Sequence, residues 1–240
     1  MSTPTISTIF FDMDDTLICH DGICEAAWLK CFAEFAPKLG LSQNELRDRV
    51  WAYRDWYWND ESRHERGRKD LQLARREIVR GALAGTEAEN RGTEADALAD
   101  RYTDVQDEMM YVLPNAHATL AELKRRGYSL AMITNGSPLR QRPKIERFRL
   151  APYFTALFIE GEFGVGKPDP RVYQAALDAC NARARETAMV GDNLDWDIAG
   201  AARLGLTTVW HNLYGATLPD GAIKPDYEIR DISACLDIFP

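Results

Sequence analysis

The chain has 240 residues, 45% of them hydrophobic, and a formal net charge of −8. This is enough apolar material for one large or two modest domains with a buried core, and it excludes disorder as the default. The acidic balance argues against a nucleic-acid or membrane-surface partner, either of which calls for a dominant basic face, and favours a small molecule. No apolar stretch approaches the ~18 residues of a membrane span, and the opening Met1-Ser2-Thr3-Pro4 lacks the charged-then-apolar pattern of a signal peptide. A cytoplasmic location is expected.

The first predicted element is an apolar, strand-like run at residues 6–11, which delivers Asp12-Met13-Asp14-Asp15-Thr16-Leu17 at its end. Acids seldom sit beside buried apolar residues without partners, because a desolvated, unpaired carboxylate is costly, so something cationic is implied. Residues 20–111 differ in character: several helical segments, many aromatics and no convincing strand read as an inserted helical domain. Within it, the polar stretch 85–96 reads as a loop between helices. Trp51, Tyr53, Trp56, Tyr57 and Trp58 read first as core packing, with some rings available to a ligand. Arg63, Arg66, Arg68 and Lys69 form a basic run, suited to a solvated helix face or to selecting an anionic substrate group. The five cysteines, Cys19, Cys24, Cys31, Cys180 and Cys235, are few and odd in number, which argues for reduced thiols. Cys19, His20 and Cys24 contain no C-x-x-C pair, which argues against zinc.

The chain is expected to return to the first domain near Val112, just before Pro114. From there, helical patterns at 116–126, 139–148, 171–180 and 198–204 alternate with strand-like runs at 128–133, 156–159, 187–190 and 207–210. Gly127 and Gly205 fall at helix stops. The alternation predicts an α/β fold: a Rossmann-like parallel-sheet core domain, residues 1–18 and 112–240, with an inserted α-helical domain at 19–111. In such sheets ligands bind beyond the carboxyl ends of the strands, which is where Asp12, Thr134 and Asp192 fall.

Four separated signals align with those strand ends: Asp12-x-Asp14-x-Thr16, Thr134-Asn135-Gly136, Gly166-Lys167-Pro168-Asp169-Pro170, and Asp192 with Asp195 and Asp197. Each has a bland reading alone. Asp14-Asp15-Thr16 suits a turn or a cap, Asp15 a solvated turn position, and Asp195 a helix amino terminus. Arg140, Arg142, Lys144, Arg147 and Arg149 read as a solvated helix face. A P-loop is also spelled at 161–167, but Pro168 stands where a magnesium-binding Ser or Thr belongs and Pro170 interrupts the required helix.

Together the four motifs resemble those of the haloacid dehalogenase-like hydrolases, over residues 6 to about 206. The helical insert resembles the cap of the subgroup that contains N-acylneuraminate-9-phosphatase and phosphoglycolate phosphatase, in position and character only. The resemblance implies that Asp12 attacks phosphorus to give an aspartyl-phosphate, and that Asp14 protonates the leaving oxygen and then assists water. It implies that Thr134 and Lys167 hold the phosphoryl group, with Asn135 and Gly136 beside them, and that Thr16 orients the loop. Mg2+ would be bound by Asp12, Asp192 and the Asp14 carbonyl, with Asp197 in an outer role ordering water around it.

The expected activity is therefore a magnesium-dependent phosphatase acting on a small phosphorylated metabolite: a sugar phosphate, phosphoglycolate or a nucleotide-like compound. Asp14 disfavours a dehalogenase, because halide leaves without a proton. A phosphonatase would need a cap lysine forming a Schiff base, and Lys30, Lys38 and Lys69 lack a recognisable context. A phosphomutase and a non-enzymatic metabolite-binding protein are the remaining alternatives, and the motifs leave monomer and homodimer equally open.

Overall fold

The computed structural model of the chain describes residues 5–240, apart from the side chains of Arg68 and Lys69. The expectations placed on Met1-Ser2-Thr3-Pro4 and on the Arg68 and Lys69 side chains lie outside the described residues. In chain order the elements are β1 (Thr8–Phe11), β2 (Ile18–Cys19), α1 (Cys24–Leu39), α2 (Gln43–Trp58), α3 (Glu61–Lys69), α4 (Leu71–Ala82), α5 (Gly92–Met109) and β3 (Tyr111–Val112). They continue with α6 (Ala116–Arg125), β4 (Ser129–Thr134), α7 (Pro138–Arg147), β5 (Ala156–Ile159), α8 (Glu160–Phe163), α9 (Pro170–Ala179), β6 (Thr187–Gly191), a π-helical turn (Leu194–Ala199), α10 (Gly200–Ala202), β7 (Thr207–His211), β8 (Tyr227–Ile229) and α11 (Cys235–Ile238).

The chain divides into two compact units, residues 1–19 with 111–240 and residues 20–110. In the first, six strands form one parallel sheet in the order β5-β4-β1-β6-β7-β8. Strand β1 lies at the centre, its four residues fully buried, as expected of a parallel strand covered on both faces. Its neighbours are β4 and β6, in register Phe11↔Met132 and Phe11↔Val190. Alternate residues Phe10, Ala131, Ile133 and Met189 pack against Val172, Tyr173, Ala176 and Leu177 of α9. Strand order reverses at β1, and at such a switch point the loops after adjacent strands diverge and open a crevice.

The five longer sheet strands fall where the sequence predicts them, to within two residues at each end. Three strands escape the sequence pattern. The two-residue β2 and β3 pair antiparallel, Ile18↔Val112 and Cys19↔Tyr111, and are too short to show a period. Edge strand β8 reads only Tyr-Glu-Ile in a polar context. A second difference falls at residues 198–204, where a single helix is expected and the chain instead makes the π-helical turn followed by the short α10.

The second unit consists of helices α1 to α5 around their own core, which includes Trp28, Phe32, Leu46, Val50, Ile78, Val79 and Leu98. Trp28 stacks on Tyr102 at 4.0 Å and on Phe32 at 5.4 Å, and Trp51 meets both Trp28 and Phe32 edge-on. Trp51 and Tyr57 thus join the core, whereas Trp56 is exposed. Ser42, Asp60 and Asp70 cap α2, α3 and α4 by accepting from main-chain N–H groups three residues on. The polar loop is shorter than the sequence suggests, because α5 already begins at Gly92. No helix among the described residues is long and apolar enough to cross a membrane, and all five cysteines are free thiols.

Phe32 has no exposed surface, so Phe32→Ala should cost about 3–5 kcal/mol in urea unfolding. Leu139→Ser, at a position 86% exposed, should stay within about 0.5 kcal/mol.

Candidate active site

The site is built at the carboxyl end of β1. Asp12 follows the strand directly, and its N–H continues the ladder to the Val190 carbonyl at 2.9 Å, which fixes the loop against β6. The Asp12 side chain is buried, and its Oδ1 accepts from Lys167 Nζ at 2.6 Å. The same ammonium donates to Asp197 Oδ1 at 2.5 Å. Lys167 and Asp197 are essentially without exposed surface.

Asp197 reaches this position through the π-helical turn, an arrangement that often redirects a side chain at a functional site. Its Oδ2 accepts from the Asn193 N–H at 3.0 Å. Gly191 permits the approach, because a Cβ there would collide with the Asp197 carboxylate. The cap of this turn is Asn193, whose side chain accepts from the N–H groups of Asp195 and Trp196, so Asp195 does not serve as the cap.

Carboxylate oxygens of Asp12, Asp192 and Asp197 lie within 4.8 Å of one another. Burial pushes the Asp12 carboxyl up to about 7 against the opposing pull of Lys167, with the charges of Asp197 and Asp14 adding to the rise. Burial likewise pushes Asp192 up to about 9, reinforced by Asp12 and Asp197. For Lys167, burial alone would lower the ammonium, but the charges of Asp12 and Asp197 outweigh it and hold Lys167 above its ordinary range. One cation thus faces three acids. Like charges about 4 Å apart repel by ~4 kcal/mol at an effective dielectric near 20, so this hard, oxygen-only donor set suits a hard divalent cation.

Asp14 stands apart from that trio. Its two oxygens are 2.9 and 3.0 Å from Lys144 Nζ, and Gln141 Nε2 donates to Oδ2 at 3.0 Å. Gln141 Nε2 also reaches Thr134 Oγ1 at 2.8 Å and the Asn135 carbonyl at 2.7 Å. Lys144 is buried, so the basic run on α7 is not uniformly a solvated face. Its fellow Arg142 does pair at the surface, with Glu162. The sequence signal for Gln141 and Lys144 was available: Gln141, Lys144 and Ile145 share the inward face of α7 at i, i+3 and i+4, with two polar residues where apolar ones belong.

The second and third motifs brace one another. Asn135 Nδ2 donates to the Lys167 carbonyl at 2.8 Å while its Oδ1 accepts from the Lys167 N–H at 2.7 Å. The Gly136 N–H donates to Glu160 Oε2 at 2.8 Å, and the Thr16 hydroxyl is buried with no hydrogen-bond partner among the described residues. Asp15 is not a solvated turn residue. It is buried in a left-handed conformation with φ 54°, its side chain accepts from the Tyr214 hydroxyl at 2.8 Å, and its carbonyl lies 3.0 Å from His211 Nδ1. Nothing local in the sequence announces His211 and Tyr214, which come from the end of β7 and the loop after it.

The helical unit brings together His20, Asp21 and Cys24, with potential donor atoms within 4.8 Å. They bond within the unit instead: His20 Nδ1 to Asp21 at 2.8 Å, and Gln106 Nε2 to both His20 Nε2 and Cys24 Sγ. In its basic run, Arg63 lies over the Trp56 ring and donates to the Trp56 and Tyr57 carbonyls, and Arg66 pairs with Glu77.

Known proteins place this geometry in a family. The chain is similar to glyceraldehyde 3-phosphate phosphatase of Pyrococcus furiosus, at 30% identity over 98% of this chain and 93% of that protein. A segment of 119 residues is 44% identical to phosphoserine phosphatase of Thermus thermophilus; it spans 50% of this chain and 47% of that protein. Among solved structures, a 2-haloacid dehalogenase from Pseudomonas syringae matches with a TM-score of 0.63 and 28% identity, over 98% of each chain. The family model described as haloacid dehalogenase-like hydrolase matches residues 6–205, so the chain belongs to the haloacid dehalogenase-like hydrolases.

Proposed function

We propose that the protein is a magnesium-dependent phosphatase that hydrolyses a small phosphorylated metabolite through an aspartyl-phosphate on Asp12. The observation that carries this reading is the buried Asp12 carboxylate, held 2.6 Å from Lys167 beside Asp192 and Asp197. A carboxylate fixed at a strand end, with a cation beside it and a hydroxyl on the neighbouring strand, is equipped for covalent phosphoryl transfer.

Asp12 and Asp192, with the Asp14 carbonyl, would hold Mg2+, which would supply positive charge to offset that of the nucleophile and the phosphate. Asp197 has one oxygen on Lys167 and the other on the Asn193 N–H, which favours an outer, positioning role over direct coordination. Asp12 forms the bond to phosphorus while Lys167 balances its charge, and the Thr134 hydroxyl faces the phosphoryl oxygens, with Asn135 and Gly136 bracing that loop through Lys167 and Glu160. Asp14 gives its proton to the departing oxygen and recovers one from the water that cleaves the aspartyl-phosphate. Residues 1–18 and 112–240 carry this chemistry, and the insert at 19–111 is the cap, to which we assign substrate choice.

The two phosphatases above are named for three-carbon phosphates, phosphoserine and glyceraldehyde 3-phosphate. Such compounds head the substrate screen, followed by sugar phosphates, phosphoglycolate and nucleoside monophosphates. The likeness to a 2-haloacid dehalogenase raises a second reading. Against it stands Asp14, an acid that halide departure does not use and that two buried side chains of α7 nevertheless hold in place.

Purified protein with Mg2+ should hydrolyse phosphomonoesters and leave 2-haloacids untouched; halide release without phosphate release would reverse the assignment. Asp12→Asn should abolish phosphate release, by at least about 10³-fold, with an unchanged circular dichroism spectrum. Removing one of three crowded acids should raise the melting temperature of the metal-free protein in Asp192→Asn. The same change should erase the stabilisation that saturating Mg2+ gives the wild type, about 2.7 kcal/mol at one hundred times Kd.

A further inference from the structure

We propose that Lys144 and Gln141 are positioning residues that hold the Asp14 carboxylate in register with the Thr134 hydroxyl; the inference rests on the phosphatase reading. Lys144 Nζ sits almost equidistant from the two Asp14 oxygens, at 2.9 and 3.0 Å, so the carboxylate is gripped at both ends. Gln141 Nε2 touches Asp14 Oδ2, Thr134 Oγ1 and the Asn135 carbonyl within 3.0 Å. All three neighbours can accept, which fixes the amide with its nitrogen towards them. One amide group therefore ties the acid to the second motif, where the phosphoryl group is to be held.

Stability does not explain the pair. The inward face of α7 would bury Leu or Met at these positions at less cost than a lysine ion-paired away from water. Gln141 Oε1 is itself buried with no hydrogen-bond partner among the described residues, a penalty that an apolar side chain avoids. A side chain retained against its own desolvation, and aimed at the proposed acid, points to placement of that acid. A helix supplies such placement well, because residues i and i+3 share a face and α7 starts four residues after Thr134.

Asp14 acts twice in the proposed reaction. Asp14 enters the first step as the acid, carrying the proton left on one oxygen by the water of the preceding turnover. As the Asp12 Oδ–P bond forms and the P–O bond to the leaving group breaks, that proton passes to the leaving oxygen and Asp14 becomes the carboxylate that Lys144 holds. Water then attacks phosphorus, the Asp12–P bond breaks, and Asp14 takes up the proton that water loses. Both transfers need an Asp14 oxygen at a defined point, and a displacement of about 1 Å can cost ~10²-fold in rate. Substrates whose leaving group departs without a proton escape the first requirement.

The test measures kcat/KM with Mg2+ for a series running from glycerol phosphate through phenyl and 4-nitrophenyl phosphate to 2,4-dinitrophenyl phosphate. The parameter reports the chemistry up to aspartyl-phosphate formation, so dephosphorylation, common to all esters, drops out. Lys144→Met and Gln141→Leu should lose about 30- to 100-fold on glycerol phosphate but less than about 5-fold on the dinitrophenyl ester, which steepens the dependence on leaving-group pKa. Lys144→Arg should recover part of the loss. Gln141→Leu replaces an orphaned amide by a side chain of similar size, so it provides a folded variant if Lys144→Met fails to fold. A parallel loss on every ester, or no loss, overturns the positioning role. Wild-type protein that hydrolyses none of the esters removes the phosphatase reading first, and this inference with it.

Discussion

The site depends on one interaction, the Lys167 ammonium held between Asp12 and Asp197 with almost no surface exposed to water. Removing such an ion from water is expensive, and it is tolerable only because two carboxylates and a fixed main chain receive it. The partners come from distant parts of the chain: Asp12 from the end of β1, Lys167 from the loop before α9, and Asp197 from the turn after β6. Parallel pairing of β1 with β6 sets the first and last of these side by side. The reciprocal hydrogen bonds between Asn135 and the Lys167 main chain hold the loop that supplies the lysine.

A second lysine completes the arrangement. Asp12 and Asp14 are two residues apart and would compete for one cation, yet each has its own: Lys167 for the first, Lys144 for the second. The two acids are chemically identical and become different through these surroundings. Asp12 sits among carboxylates, buried and pushed up to about 7, whereas Asp14 is fastened to α7 outside that cluster. In the proposed mechanism, the division of labour between nucleophile and proton carrier would then rest on the partners as much as on the acids.

Much of this was legible in the sequence, because its carriers are local. The longer strands of the parallel sheet are apolar runs of four to six residues, and Asp12 and Asp192 directly follow β1 and β6. The helical character of residues 20–110 shows in composition and period. Other features were illegible because they depend on contacts between remote residues. Asp15 reads as a solvated turn until Tyr214 and His211 fold onto it. Lys144 is a different case: it reads as surface charge when only the basic run is weighed, although its spacing from Gln141 and Ile145 marks the inward face of α7. Asn193 rather than Asp195 is the cap because the turn starts at Leu194, ahead of the expected helix. Local pattern captures what a residue prefers, whereas these assignments depend on what the rest of the chain brings to it.

The antiparallel pairing of β2 with β3 has a consequence of a different kind. Ile18 and Cys19 lie against Val112 and Tyr111, so the strand by which the chain leaves the sheet unit and the strand by which it returns are hydrogen-bonded neighbours. From the point of view of the sheet, everything between them is a single hairpin loop. Each doubling of a loop adds only about 0.6 kcal/mol to the entropy of closing it. Helices in that interval can be lengthened, exchanged or remodelled at little thermodynamic cost to the six-stranded sheet. The fold thereby separates what must stay constant for its chemistry from what is free to diverge.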